Sequence, residues 1–267
     1  MISKKSVTLT TTGLVTFVSL LGAPTTFAET EGEVKPPMTI NNSPESEAVI
    51  SFEQNTTKPT PPEVPGGGEM ERPNEGETGM VGPLTIDYIT KINFGPVKVS
   101  GNDATYFAEL AKIKLVGVEK PKDVANYVQI TDSRGSNAGW QLQLQQADQF
   151  TAKDEQGKDV QLTGAKLTFA NPTLKSSQKD AALAPLGIER TLVPGSGPVT
   201  VVNAASGKGM GTWHYTLGDT DEQAANSVSL NVPGDTAKLS KVSYKTTLVW
   251  TLVDAPTASD VTPEQTP

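Results

Sequence analysis

One histidine, His214, stands in the 267 residues, and there is no cysteine, so the chemistry open to this chain is narrow. Catalysis of the Ser-His-Asp kind would have to pass through His214, in the stretch GTWHYTLGD, yet no G-x-S-x-G elbow presents a serine to it. On a strand its side chain would lie opposite Trp213 and Tyr215, which reads as a solvent-facing or hydrogen-bonded imidazole. A zinc site needs further histidines or any cysteine. Gly218–Glu222 (GDTDE) gathers three carboxylates but lacks the spacing and closing glutamate of an EF-hand, and it reads as a solvated turn. Around Lys208, GKGMG (Gly207–Gly211) does not fit the phosphate-loop pattern. The expectation is a protein that is not an enzyme, with no catalytic residue, no metal and no cofactor.

The informative residues are aromatic. In YVQITDSRGSNAGWQLQL (127–144), Trp140, Leu142 and Leu144 share one face of a strand, and Gln141, Gln143 and Gln145 the other. A second copy of the pattern closes the globular region in YKTTLVWTL (244–252), where Leu248, Trp250 and Leu252 alternate with Val249, Thr251 and Val253. These two Trp-x-Leu strands, far apart in sequence, are the best candidates to pair in space and so bring both tryptophans onto one face. Two roles stay open for Trp140, Leu142, Trp250 and Leu252. They fill a core, as buried aromatics commonly do, or they form a platform for a sugar ring or a partner protein. Asp132 and Arg134 stand beside them, as a turn with a local ion pair worth under roughly 1 kcal/mol or as a polar handle for the same ligand.

Strands must position these residues. Candidates recur at Leu84–Tyr88, Val97–Val99, Lys112–Val118, Tyr127–Thr131, Trp140–Gln145, Lys166–Phe169, Thr200–Ala204, Gly211–Leu217, Ser227–Val232 and Val242–Val253, with Gly and Pro between them. Helix candidates are few, Ala104–Lys112 and Gln178–Leu186. Many short strands with Gly/Pro-rich turns predict an all-β fold, an antiparallel, Greek-key-like β-sandwich spanning residues 84–256.

Before this region the composition changes. Met1–Ala28 reads as a signal peptide, with Lys4 and Lys5 ahead of an apolar run and cleavage after Ala28. Residues 29–83 carry eleven acidic side chains, three basic ones and nine prolines, and read as an acidic Pro/Gly-rich linker that is mostly extended. One island, 48–53, has the content of an edge strand. Residues 257–267 read as a disordered tail. Net charge is −8, which argues against nucleic acid as a partner. No stretch after the signal is apolar and long enough to span a membrane. The expectation is a secreted protein.

The motif strands, with GKGMGTW, VSLNVPGD and YKTTLVWTLVDAP, resemble the WxL domain family of Gram-positive cell-surface proteins. The lead-in ISFEQNTTKPTPPEVP and GPLTIDYITKINFGPVKVS is similar too, so the likeness covers essentially the whole mature chain. The resemblance implies a non-catalytic module that attaches non-covalently to peptidoglycan in the cell wall, with Trp140, Leu142, Trp250 and Leu252 at the family's named motif. It also implies an alternative: a structural or adhesive component that binds a partner surface protein, including those encoded beside it, or host extracellular matrix. The lack of an LPxTG-like signal or a lipid-modifiable cysteine fits retention on the wall surface by non-covalent contacts.

Overall fold

The computed structural model describes residues 47–54, 57–72 and 76–254, and the described residues from Ile50 to Asp254 belong to one compact unit. The signal peptide expected at 1–28 and the tail expected at 257–267 lie outside the described residues. The first half of the chain forms β1 (Leu84–Ile89), β2 (Ala104–Phe107), β3 (Ala111–Ile113), β4 (Lys122–Val124), β5 (Tyr127–Asp132), β6 (Trp140–Gln146), β7 (Thr151–Lys153) and β8 (Asp159–Gln161). The second half forms β9 (Lys166–Phe169), β10 (Pro172–Lys175), β11 (Leu186–Gly187), β12 (Arg190–Leu192), β13 (Val199–Ala204), β14 (Gly211–Leu217), β15 (Val228–Val232) and β16 (Leu248–Asp254).

The fold is all-β, and every ladder between these strands is antiparallel. Three four-stranded sheets carry the orders β1-β5-β14-β10, β11-β13-β6-β16 and β12-β9-β15-β2, and β3-β4 and β7-β8 are separate two-stranded pairs. All three sheets contribute to one apolar cluster, through Ile130 and Tyr215 from the first, Trp140 and Leu142 from the second, and Leu167 and Phe169 from the third. Period-2 alternation explains this: on β6, Trp140, Leu142 and Leu144 are fully buried while Gln143 and Gln145 are only half-buried.

Several local expectations are corrected: Val97–Val99 is not a strand, Lys112–Val118 is one only at Lys112 and Ile113, and Val242–Val253 only from Leu248. Ala104–Lys112 is not a helix: Ala104-Thr105-Tyr106-Phe107 is β2, paired with Val232 through Ser229 of β15, and β3 follows. The β-branched and aromatic side chains suit a pleated surface, and cross-strand packing overrides the local helical spacing. Of Gln178–Leu186, only Ala181–Leu183 is helical, as a single 3-10 turn. The ordered helix lies elsewhere, α1 (Asp221–Ser227), beginning inside the acidic stretch that reads as a turn. Thr220 caps it by accepting from the Gln223 N–H at 3.3 Å, while the Gln223 side chain accepts from the Asp219 N–H at 3.1 Å. Thr-Asp-Glu-Gln is a helix-start signature, and Asp221 and Glu222 in the first turn complement the helix dipole.

Of the Pro/Gly-rich region expected at 29–83, residues 29–46, 55–56 and 73–75 lie outside the described residues. Residues 47–54 form no strand, and Val49, Ile50 and Phe52 are exposed. Packing comes instead from an arm at residues 61–70, which lies on the outward side of the first sheet. Val64 and Met70, each 1% exposed, join Tyr88, Ile113, Val124 and Tyr127 in a second apolar cluster. The arm reverses at Gly66, Gly67 and Gly68, whose φ angles of 88°, 96° and 123° exclude most side chains, and the Gly67 N–H bonds the Val64 carbonyl at 2.8 Å.

Candidate functional site

The two Trp-x-Leu strands are neighbours: β6 lies between β13 and β16. Antiparallel register sets Trp250 opposite Leu144, Leu252 opposite Leu142 and Asp254 opposite Trp140. The motifs thus run past each other in opposite directions, and both indoles point to the apolar side, offset along the sheet.

Their environments are different. Trp140 is 0% exposed, and its indole N–H donates to the Gly209 carbonyl at 3.0 Å. Leu142 is equally buried. Trp250 and Leu252, on the outermost strand of their sheet, are half-buried. The Trp250 ring meets Phe169 and Tyr215 edge-on, with centroids 6.3 and 6.4 Å away, so it closes the core at its margin. Trp213, from the first sheet, is buried and donates to the Met210 carbonyl at 3.0 Å. Both indole N–H bonds therefore end on the loop 207–211. That GKGMG stretch fails as a phosphate loop, and its glycines let backbone approach the rings: a Cβ on Gly209 would lie 2.6 Å from Trp140 Nε1.

Asp132 and Arg134 form a buried cluster at the Trp140 end of β6. Asp132 is 1% exposed and the Arg134 side chain 8%. The guanidinium grips the carboxylate with Nε to Oδ1 at 2.9 Å and Nη2 to Oδ2 at 2.7 Å. It also donates to the Gly139 carbonyl at 2.7 Å and to the exposed carboxylate of Asp254. One cation thus ties the β5–β6 connection to the end of β16. A two-pronged, buried grip lies outside the regime of exposed turn pairs, since separating it would strand a charge in the interior. The role of Asp254 escapes sequence reading, because only the strand register carries it back to Arg134.

The opposite face of the same sheet carries Gln141, Gln143 and Gln145 of β6, beside Thr251 of β16 flanked by Val249 and Val253. Thr200, Gln143 and Thr251 lie in one cross-strand row. The neighbouring Gln141 carboxamide, fully buried, accepts from the Thr200 hydroxyl at 3.4 Å. Hydroxyls and carboxamides there sit in a fixed order, with Thr251 exposed.

His214 is not in this site. It faces outward on the first sheet, 6% exposed, with its ring edge-on to Tyr127 at 5.7 Å. Burial holds its pKa below the ordinary imidazole value, against the opposing pull of the Glu63 carboxylate and the carbonyls of Lys175 and Glu63. No serine, threonine or carboxylate is hydrogen-bonded to its Nε2. Among the described residues no three His, Asp or Glu side chains converge as metal ligands, and no helix is long and apolar enough to cross a membrane.

Comparison with known proteins adds one match. The sequence model of a family described as "WxL domain surface cell wall-binding" aligns with residues 39–256. No curated protein and no solved structure matches the chain. The aligned span begins ahead of the docked arm and ends just after β16.

Proposed function

The chain belongs to the WxL domain family, surface proteins that bind the cell wall, and we propose that it is exported and holds to the peptidoglycan of a Gram-positive wall without a covalent link. In this reading it is a binding module and not an enzyme. The observation that carries it is the unequal burial of the paired motifs. Trp140 and Leu142 are sealed inside, while Trp250 and Leu252 stand half-buried on an outermost strand. An indole at a sheet margin offers an apolar face to the C–H face of a sugar ring. On the same face at the end of the strand, the exposed carboxylate of Asp254, held by Arg134, supplies an acceptor suited to hydroxyls, acetamide N–H groups and stem-peptide amides.

The site then divides by role. Trp250, Leu252 and the exposed carboxylate of Asp254 touch the ligand; Trp140, Leu142, Asp132 and Arg134 hold them in place. Cosedimentation with purified, protein-stripped peptidoglycan tests this with Trp140→Phe, Trp250→Phe and the double variant, each checked for folding. The expected result is retained binding by folded Trp140→Phe and weakened binding by Trp250→Phe. Unchanged binding by a folded double variant would sink the site. Failure of the unaltered chain to sediment, with retention restored by a membrane-anchored surface protein, would favour the adhesive reading.

A further inference from the structure

Side chains of the first sheet read a peptide backbone. The arm at residues 61–70 is not a strand of that sheet; among the described residues its ladder contacts are isolated bridges, Glu63 with Glu69 and Met70 with Leu115. What holds residues 61–63 is a set of side chains from β5. The Gln129 carboxamide, 0% exposed, accepts from the Glu63 N–H at 2.6 Å and donates to the Pro61 carbonyl at 3.1 Å. The Tyr127 hydroxyl donates to the Glu63 carbonyl at 3.1 Å. Beneath them the carboxylate of Asp87 takes Gln129 Nε2 at 3.0 Å and the hydroxyls of Thr131 and Thr85 at 2.6 Å each. That carboxylate fixes which end of the Gln129 amide is donor and which acceptor.

This arrangement selects a kind of ligand. It asks for a carbonyl, then a position with no required donor, then an N–H and a carbonyl, followed by an apolar anchor. Pro61-Pro62-Glu63-Val64 fits, because proline brings no N–H that would be left unpaired at 61 or 62 and is already extended. Val64 and Met70 then fill the apolar recess of Tyr88, Ile113, Val124 and Tyr127. None of these contacts depends on the covalent connection between arm and sheet.

We propose that the outer face of the β1-β5-β14-β10 sheet is a docking groove for an extended proline-containing segment, filled in cis by residues 61–70, and that the arm of a second copy of this chain is its partner in trans. The occupant that satisfies every one of these contacts is this sequence itself. A tether gives the cis arm an effective concentration on the order of millimolar, so exchange between copies takes hold where chains are densely arrayed.

The test uses the full chain and a labelled synthetic peptide spanning Thr57–Arg72. In the chain carrying Val64→Asp and Met70→Asp, the arm loses both anchors and the groove is open to the peptide. Fluorescence anisotropy should show binding at least about ten-fold tighter than to the unaltered chain, which competes in cis. Adding Gln129→Ala should abolish it. No binding by a folded, arm-released chain overturns the proposal, as does equal binding of a scrambled peptide or binding that survives Gln129→Ala. Should the double variant not fold, amide exchange of the unaltered chain decides. Glu63 and Gly67 should exchange at least about ten-fold faster than Ile130 and Trp213, as a separately opening arm requires. Exchange of all four at one common rate of global opening would overturn it.

Discussion

Replacing Trp140 by phenylalanine separates a buried, hydrogen-bonded indole from its half-buried counterpart. Trp140 makes no contact with solvent and donates to Gly209. The substitution strands that buried carbonyl, at a cost of about 1–3 kcal/mol. The missing part of the ring removes apolar contact worth about 1 kcal/mol more. The sum is about 2–4 kcal/mol. For a domain of this size that corresponds to a fall in Tm of roughly 4–16 °C. Trp250→Phe should be far milder. That ring is half-buried, its contacts are the edges of Phe169 and Tyr215, and an aromatic ring survives to keep much of them. Its cost should be about 1 kcal/mol. Calorimetric melting of the two variants, with peptidoglycan cosedimentation alongside, gives the comparison. Equal destabilisation, or a larger loss for Trp250→Phe, would refute the assignment of unequal roles.

Other consequences follow from the same contacts. Arg134→Met leaves the Asp132 carboxylate buried without its cation and should cost about 3–5 kcal/mol in urea unfolding, whereas combining it with Asp132→Asn should recover most of the loss. Gly209→Ala meets both a φ of +79° and a Cβ 2.7 Å from Ala204 Cβ, so it should cost at least about 2 kcal/mol. Gly207→Ala, with φ +87° and open space around it, should show the smaller cost of backbone strain alone. Stability should also depend on pH through two buried groups with opposite signs. Burial lowers the pKa of His214 from its ordinary 6.5, so its contribution is intact above that value and is lost as pH falls through the depressed one. Burial raises the pKa of Asp87 from 3.8, outweighing hydrogen bonds from Thr131, Thr85 and Gln129, so its contribution is present below 3.8 and lost as pH rises through the raised value. Denaturation curves from pH 7.5 downward should show stability declining below 6.5, and His214→Gln should flatten that decline; an unchanged slope would contradict the burial argument.

The strands of the site were legible because their signal is local. Trp140-Gln141-Leu142-Gln143-Leu144 alternates wherever it is placed, since successive strand residues must face opposite ways, and Lys166–Phe169 and Gly211–Leu217 form as the alternation and turn chemistry indicate. The likeness of the two Trp-x-Leu segments pointed to their pairing. The start of α1 is also written locally, in Thr220 and Gln223, inside a stretch whose three carboxylates equally suit a solvated turn. Other features depended on partners distant in sequence. Ala104–Phe107 has a composition that suits either a short helix or a strand, and β15 decides between them. Proline and glycine at 61–68 specify an extended segment with a reversal, yet not the surface that receives it; Gln129 and Tyr127, more than sixty residues away, do that. An all-β chain with two matched aromatic strands follows from periodicity and turn residues, which act over a few positions. That Trp140 is sealed while Trp250 stands at a margin, and that Arg134 is buried between Asp132 and Asp254, comes from the assembled sheets. Burial is a property of the sheet order and register, and no single stretch of chain contains either.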